Sequence, residues 1–207
     1  MATVTQTEQV ECSGTRGNVI AAELTPAANA TERGVLVLAS ELWPAVLTSR
    51  LAAEGLDVLV VSELPEGDRE ALADMEAACD WLKRERNCDE VFALGAGDGG
   101  TRAFLLACAA SVLDGVVNVD GPLQLAELSR ERPFQPLEMA LSLSCPLLAL
   151  FSDGNASIPA EDQARGAEVL SQFARTFDIV ARSGDGRIPL SDAEIDRILA
   201  FLNEAVD

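Results

Sequence analysis

Residues 93–100, ALGAGDGG, join a β-branched apolar run to a long apolar stretch of helical character. Two kinds of chemistry use such a turn. The spacing Gly95-x-Gly97-x-x-Gly100 fits a dinucleotide-binding fingerprint, in which glycines let backbone approach a pyrophosphate at a helix N-terminus. Asp120 ends the next strand at about the twenty-residue distance where an acid would hold the ribose hydroxyls. The same residues also have the shape of a nucleophile elbow, G-x-(Ser/Cys)-x-G, but with Gly97 where the hydroxyl or thiol belongs. Two points of placement weigh against the fingerprint. At least three strands precede it, whereas a dinucleotide fold normally begins with this unit, and Asp98 sets a negative side chain beside the phosphates.

Composition narrows what else the chain can do. It holds 207 residues with no histidine and no tyrosine. Histidine is the side chain whose unperturbed pKa suits proton transfer near neutrality. A histidine-dependent triad and a His-ligated metal are therefore excluded, and acid–base work falls to carboxylates, thiols, Lys83 or a bound cofactor. The five cysteines (Cys12, Cys79, Cys88, Cys108, Cys145) form no C-x-x-C pair. They point to reduced, mostly buried thiols rather than to zinc or a redox dithiol. A net charge of −19 repels phosphate backbones and anionic lipids, so neither nucleic acid nor membrane is an expected partner. The start, MATVTQTEQVECSG, has neither basic nor apolar leader regions, and a cytoplasmic location is the expectation. Asp153-x-Asn155-x-Ser157 imitates half of a calcium loop, but Ile158 and Ala164 stand where its glycine and glutamate belong. No metal is predicted.

The elements that must position these residues alternate along the chain. Residues 8–12 and 18–24, joined through Gly14 and Gly17, suggest an edge hairpin. GVLVLAS (34–40), LDVLVVSEL (56–64), EVFALG (90–95), GVVNVDG (115–121) and PLLALFSDG (146–154) are continuous apolar runs, the mark of strands buried on both faces. TFDIVAR (176–182) is the last strand. Helices are predicted between them: from Pro44 to Gly55, over 66–87, over 100–113, and from Pro159 to Phe173. A polar, proline-containing excursion fills 122 to about 144. The last helix carries the clearest start signal: Ser191 and Glu194 form a capping box, followed by Ile195, Ile198, Leu199 and Leu202 at helical spacing. The pattern predicts one α/β domain over 1–207, a doubly wound, mostly parallel sheet flanked by helices, with 1–33 as the edge-strand unit and 34–207 as the core.

From about residue 34 onward the sequence resembles the dienelactone hydrolases, a small branch of the α/β-hydrolases. LASELWP (38–44) is similar to the family's H-E-W-W-G-type loop, and RLAAEGLDVLVVSEL (50–64) to its R-L-A-x-x-G-Y-x-x-x-x-P-D-L stretch. DMEAACDWL (74–82) resembles the helix ahead of the nucleophile strand. GAGDGGTRAFLLA (95–107) falls on G-x-C-x-G-G and its helix. SCPLLALFSDGNASIP (144–159) falls on the strand and loop bearing the acid, and RSGDGRI (182–188) on the G-x-x-H-G-F turn. The segment between 64 and 74 is shorter than in the family. The resemblance implies an α/β-hydrolase fold without a large cap.

The resemblance also implies a triad erased at each position: Gly97 for the nucleophile, Asn155 for the acid, Asp185 for the base. Ester hydrolysis is then lost, because an elbow gains its rate only from a nucleophile beside a base. What remains is an oxyanion-type pair of backbone N–H groups at Leu42 and Asp98. The mouth is expected to gather Glu41, Trp43, Asp98, Asn155 and Asp185, joined by Asp120. Trp43 and Asp120 are candidate ligand contacts. Carboxyls crowded in a partly apolar cleft can split their pKa values and move protons without histidine. Glu41 and Asp185 are the candidates for an isomerase, cyclase or lyase acting on a small carbonyl compound. The competing reading is a pseudoenzyme that holds a small ligand or a protein partner, with a dinucleotide-binding protein as a remote third. No cofactor is predicted, and the oligomeric state is left open.

Overall fold

The structure, a computed structural model, describes residues 6–29, 31–173, 176–187 and 189–205. Ile188, the end of the RSGDGRI stretch, and residues 1–5 and 30 of the edge-strand unit lie outside the described residues. The strands are β1 (Glu8–Ser13), β2 (Val19–Thr25), β3 (Arg33–Leu38), β4 (Asp57–Val61), β5 (Glu90–Ala96), β6 (Gly115–Val119), β7 (Leu147–Ser152) and β8 (Phe177–Arg182). The helices are α1 (Val46–Ala53), α2 (Asp68–Glu85), α3 (Asp98–Ala109), α4 (Ala160–Phe173) and α5 (Asp192–Glu204). All eight strands share one sheet in the order β1-β2-β4-β3-β5-β6-β7-β8. The β1–β2 and β2–β4 pairs are antiparallel, and the rest are parallel.

Alternation along the central strands explains why they read as unbroken apolar runs. Successive side chains point to opposite faces, and helices cover both. Leu36 and Leu38 of β3 and Ala93 of β5 join one core layer with Met75, Cys79 and Leu82 of α2 and Phe104 of α3. Val35 and Val37, with Phe92 and Leu94, join the other layer with Leu47 and Leu51 of α1 and Ile195, Ile198 and Leu202 of α5. Residues Gly100 to Cys108 of α3 are all buried, as its all-round apolar composition requires. At α5 the capping box forms as read: Ser191 Oγ accepts from the Glu194 N–H, and Glu194 accepts from the Ser191 N–H at 2.7 Å.

Two differences from the sequence reading bear on the site. Helix α3 begins at Asp98 and ends at Ala109, not 100–113, because the elbow feeds directly into its first turn. The excursion at 122–144 holds a 3₁₀ helix, Pro136–Ser142, with proline at its start, where a missing N–H costs no intrahelical bond. This excursion packs beside the start of α3 and closes one side of the site.

Candidate functional site

The C-terminal ends of β5, β6, β7 and β8 meet above Gly97. That residue sits at φ 54° and ψ −126° between β5 and α3. For a residue with a side chain this conformation stores roughly 1–3 kcal/mol of strain, which nucleophile elbows sustain to expose their reactive atom. Gly97 keeps the bend and lacks the atom. A Cβ placed there would meet nothing within 4 Å, so no steric conflict forbids a side chain. At Gly95 the opposite holds: a Cβ would come 2.2 Å from the Gly99 carbonyl oxygen, so close backbone packing demands glycine. The bend is held by the Gly97 N–H donating to the Val119 carbonyl at 2.8 Å.

A cleft of about 540 Å³ opens over this apex. Its floor and walls include Gly97, Asp98, Asp120, Asn155, Ser157 and Asp185, with Arg187 at the rim. The fold thus brings Gly97, Asp98, Asp120, Asn155 and Asp185 together. Glu41, Leu42 and Trp43 are not among the lining residues. Glu41 is exposed. The Trp43 indole packs against the α1/α5 core layer and its Nε1–H donates to the Leu38 carbonyl at 2.7 Å, so its polar handle is spent inside the protein. The Leu42 N–H donates to Ser40 Oγ at 3.2 Å, which engages one of the two expected oxyanion donors. Asp98 opens α3, whose first N–H groups have no intrahelical acceptor.

Each carboxylate on the cleft already has partners. Asp98 faces Arg102 at 3.0 Å and Arg132, and both arginines also face Asp68. Asp120 is 3% exposed and accepts from the Ser152 N–H (2.7 Å), Ser152 Oγ (2.8 Å) and Arg182 Nη1 (2.8 Å), with Asn155 Nδ2 at 3.5 Å. Asp185 is exposed, and its Oδ1 accepts from the Arg187 N–H at 3.0 Å in a local turn. Asn155 Oδ1 accepts from the Ser157 N–H at 2.9 Å, so its side chain shapes its own loop.

Sequence reasoning missed the group beneath this loop. Arg182, at the end of β8, is 5% exposed and bridges Asp120 to Glu194, whose Oε1 lies 2.6 Å from its Nε. Burial works against the guanidinium charge, but Glu194 and Asp120 together raise its pKa above the ordinary arginine value. Burial likewise opposes ionisation of Glu194. Arg182 and Ser191 outweigh it and hold that carboxyl below the usual range. The one signal in the sequence was an arginine closing the strand TFDIVAR. Burial pushes Cys12 and Cys88 up to about 11 and Cys79, Cys108 and Cys145 up to about 12, and none lines the cleft. Among the described residues no group of His, Cys, Asp and Glu side chains is placed to hold a metal ion, and no helix is long and apolar enough to cross a membrane.

Comparison with solved structures returns the same architecture. The chain is 21% identical to a presumed dienelactone hydrolase from Klebsiella pneumoniae, with a TM-score of 0.80, covering 96% of this chain and 99% of that one. The Pyrococcus furiosus esterase Pf2001 superposes with a TM-score of 0.81 at 15% identity, over 98% of this chain and 92% of that one. DcsB, solved with a substrate analogue, superposes at 0.82 with 12% identity, over 97% and 99%. No curated protein matches the sequence. The model of the dienelactone hydrolase family matches residues 16–186, which include the whole elbow and the loops around Asn155 and Asp185. The chain belongs to the dienelactone hydrolase family.

Proposed function

We propose that this chain is a non-hydrolytic member of its family that holds a small carbonyl compound, such as a lactone, in the cleft over Gly97 without covalent chemistry. The observation that carries the reading is the apex. Gly97 retains the elbow's backbone and offers no nucleophile, and histidine is absent from the chain. The surroundings support the same conclusion. Asp98 and Asp120 are committed to arginines. Proton transfer to either would break an ion pair at the moment of reaction. One oxyanion donor, the Leu42 N–H, is engaged by Ser40. A carbonyl oxygen directed at the start of α3 would meet unpaired N–H groups and the positive end of the helix, which favours binding.

A second reading, acid–base catalysis, draws on Asp185, which lines the cleft and has no ion-pair partner among the described residues. Its intended partner Glu41 lies away from the lining. General acid–base work needs the group within hydrogen-bond reach of the reacting proton, and an exposed lone carboxylate has little to direct it. The binding reading is therefore preferred. It is tested by titrating an unsaturated γ-lactone into the protein and following both species by proton NMR. Saturable shifts with the lactone recovered intact are expected. Ring opening, or conversion to an isomer, would replace the binding reading with a catalytic one.

A further inference from the structure

Five Asp–Gly steps occur in the chain: Asp98–Gly99, Asp114–Gly115, Asp120–Gly121, Asp153–Gly154 and Asp185–Gly186. Such a step can rearrange without an enzyme. The glycine amide nitrogen attacks the aspartyl Cγ, a C–N bond forms, and a Cγ–O bond breaks with loss of one water. The resulting succinimide takes a water back at either carbonyl. Opening at the α-carbonyl leads the main chain through Cβ and Cγ and leaves a free α-carboxylate, an isoaspartate. Glycine favours ring closure because no Cβ obstructs it. Three conditions remain: a carboxyl free to be protonated and lose an oxygen as water, a glycine N–H not held elsewhere, and a backbone outside regular structure.

Four of the five steps each fail at least one condition. The Asp98 carboxylate is committed to Arg102 and Arg132, and its step lies in the first turn of α3. Asp114 Oδ2 accepts from the Val91 N–H at 2.8 Å, and Gly115 is buried in β6. Asp120 is paired with Arg182, and the Gly121 N–H donates to Asn118 Oδ1 at 2.8 Å. The Gly154 N–H donates to the Gly184 carbonyl at 2.7 Å, while Asp153 Oδ1 accepts from the Gly184 N–H at 3.0 Å. Asp185–Gly186 meets all three. It lies in the turn between β8 and α5, and Asp185 is exposed. Its Oδ1 accepts from the Arg187 N–H, an Asx turn that folds the carboxyl back over the following peptide. Among the described residues neither Asp185 Oδ2 nor the Gly186 N–H has a hydrogen-bond partner.

We infer that Asp185 is a site of spontaneous isomerisation to isoaspartate, and that the rearrangement remodels one wall of the cleft over Gly97. Asp185, Gly186 and Arg187 all line that cleft. Gly186 is packed against Asn155: a Cβ added to it would come 2.6 Å from Nδ2. A further methylene in the main chain therefore has to move Gly186, Arg187 or the Asn155 side chain. The reaction consumes nothing but the water it first releases, and it does not depend on what the cleft binds.

The test is to age the folded chain in mildly acidic buffer at body temperature and digest it with trypsin, beside a fresh sample. Cleavage after Arg182 and Arg187 puts Asp185 on a peptide of its own, 183–187, apart from the other four steps. Chromatography with electron-transfer fragmentation should then find isoaspartate at 185 at least tenfold above each of the other four sites. A chain aged in urea should lose that selectivity. An isoaspartyl carboxyl methyltransferase should label the aged protein but not aged Asp185→Glu, whose carboxyl would have to close a larger ring; circular dichroism checks that this variant is folded. In the isomerised fraction the Asn155 side-chain amide signals should shift in nitrogen-resolved NMR. Isoaspartate absent at 185, spread evenly over the five steps of the folded chain, or concentrated at another of them would overturn the inference. So would labelling undiminished in Asp185→Glu. Asn155 signals that stay in place in molecules carrying isoaspartate would overturn the remodelling of the wall.

Discussion

The apex of the site and the ground beneath it have been treated differently. Beneath, Asp120, Ser152, Arg182 and Glu194 form a buried, fully engaged network that ties the ends of β6, β7 and β8 to the first turn of α5. Above, Gly97 has no side chain, Asn155 turns to its own loop, and Asp185 is exposed. The lower layer reads as scaffold, whose loss should cost stability. The upper layer can change at little cost to stability. On the proposed reading the elbow's geometry outlasts its reactive atoms, because packing and ion pairs a few ångströms below maintain it.

That contrast can be broken from either side, and the largest effect is expected in the lower layer. Removing one partner of a buried ion pair leaves the other charged and unpaired, at a cost of about 3–5 kcal/mol. Asp120→Ala should therefore lower stability by about that amount in urea unfolding. A loss below ~1 kcal/mol would mean that Arg182 finds another anion.

Glu194→Gln removes a charged acceptor at the edge of the same network and should cost about 1–2 kcal/mol. Its pH dependence gives a sharper test. The folded-state pKa of Glu194 is lowered, so its contribution is complete above the ordinary value of 4.5 and is lost as pH falls through the depressed one. Wild type should lose stability relative to the Gln variant across that acid window, and the two should converge at its lower end.

In the upper layer, Gly97→Ser reinstates a side chain in a strained conformation with open space around it. It should cost about 1 kcal/mol and leave the protein folded. Without histidine it should create no esterase. Asp185→Asn, at an exposed turn, should shift stability by less than about 0.5 kcal/mol. A large loss from either substitution would mean that the apex, too, is structural.

The parts that sequence made legible are those with periodicity or a local motif. Apolar runs marked the buried strands, the capping box marked α5, and the glycine spacing around residue 97 marked the elbow, whose family resemblance the match over 16–186 supports. Partnerships that form only when distant strands converge were not legible. Asp120 and Arg182 are 62 residues apart, and nothing local to either indicates that they meet. Trp43 illustrates the reverse. The loop resemblance placed it at the cleft, whereas its indole turns inward to the Leu38 carbonyl, because a buried N–H must find an acceptor. Arg132, in an excursion with no periodic signal, proved to be a partner of Asp98 beside the apex.

The central claim is that the elbow no longer reacts, and hydrolysis of p-nitrophenyl acetate by the purified chain tests it most directly. The account predicts a rate linear in ester, indistinguishable from background and unaffected by a fluorophosphonate. Saturable turnover that the fluorophosphonate abolishes would contradict it, and would mean that another nucleophile serves the cleft over Gly97.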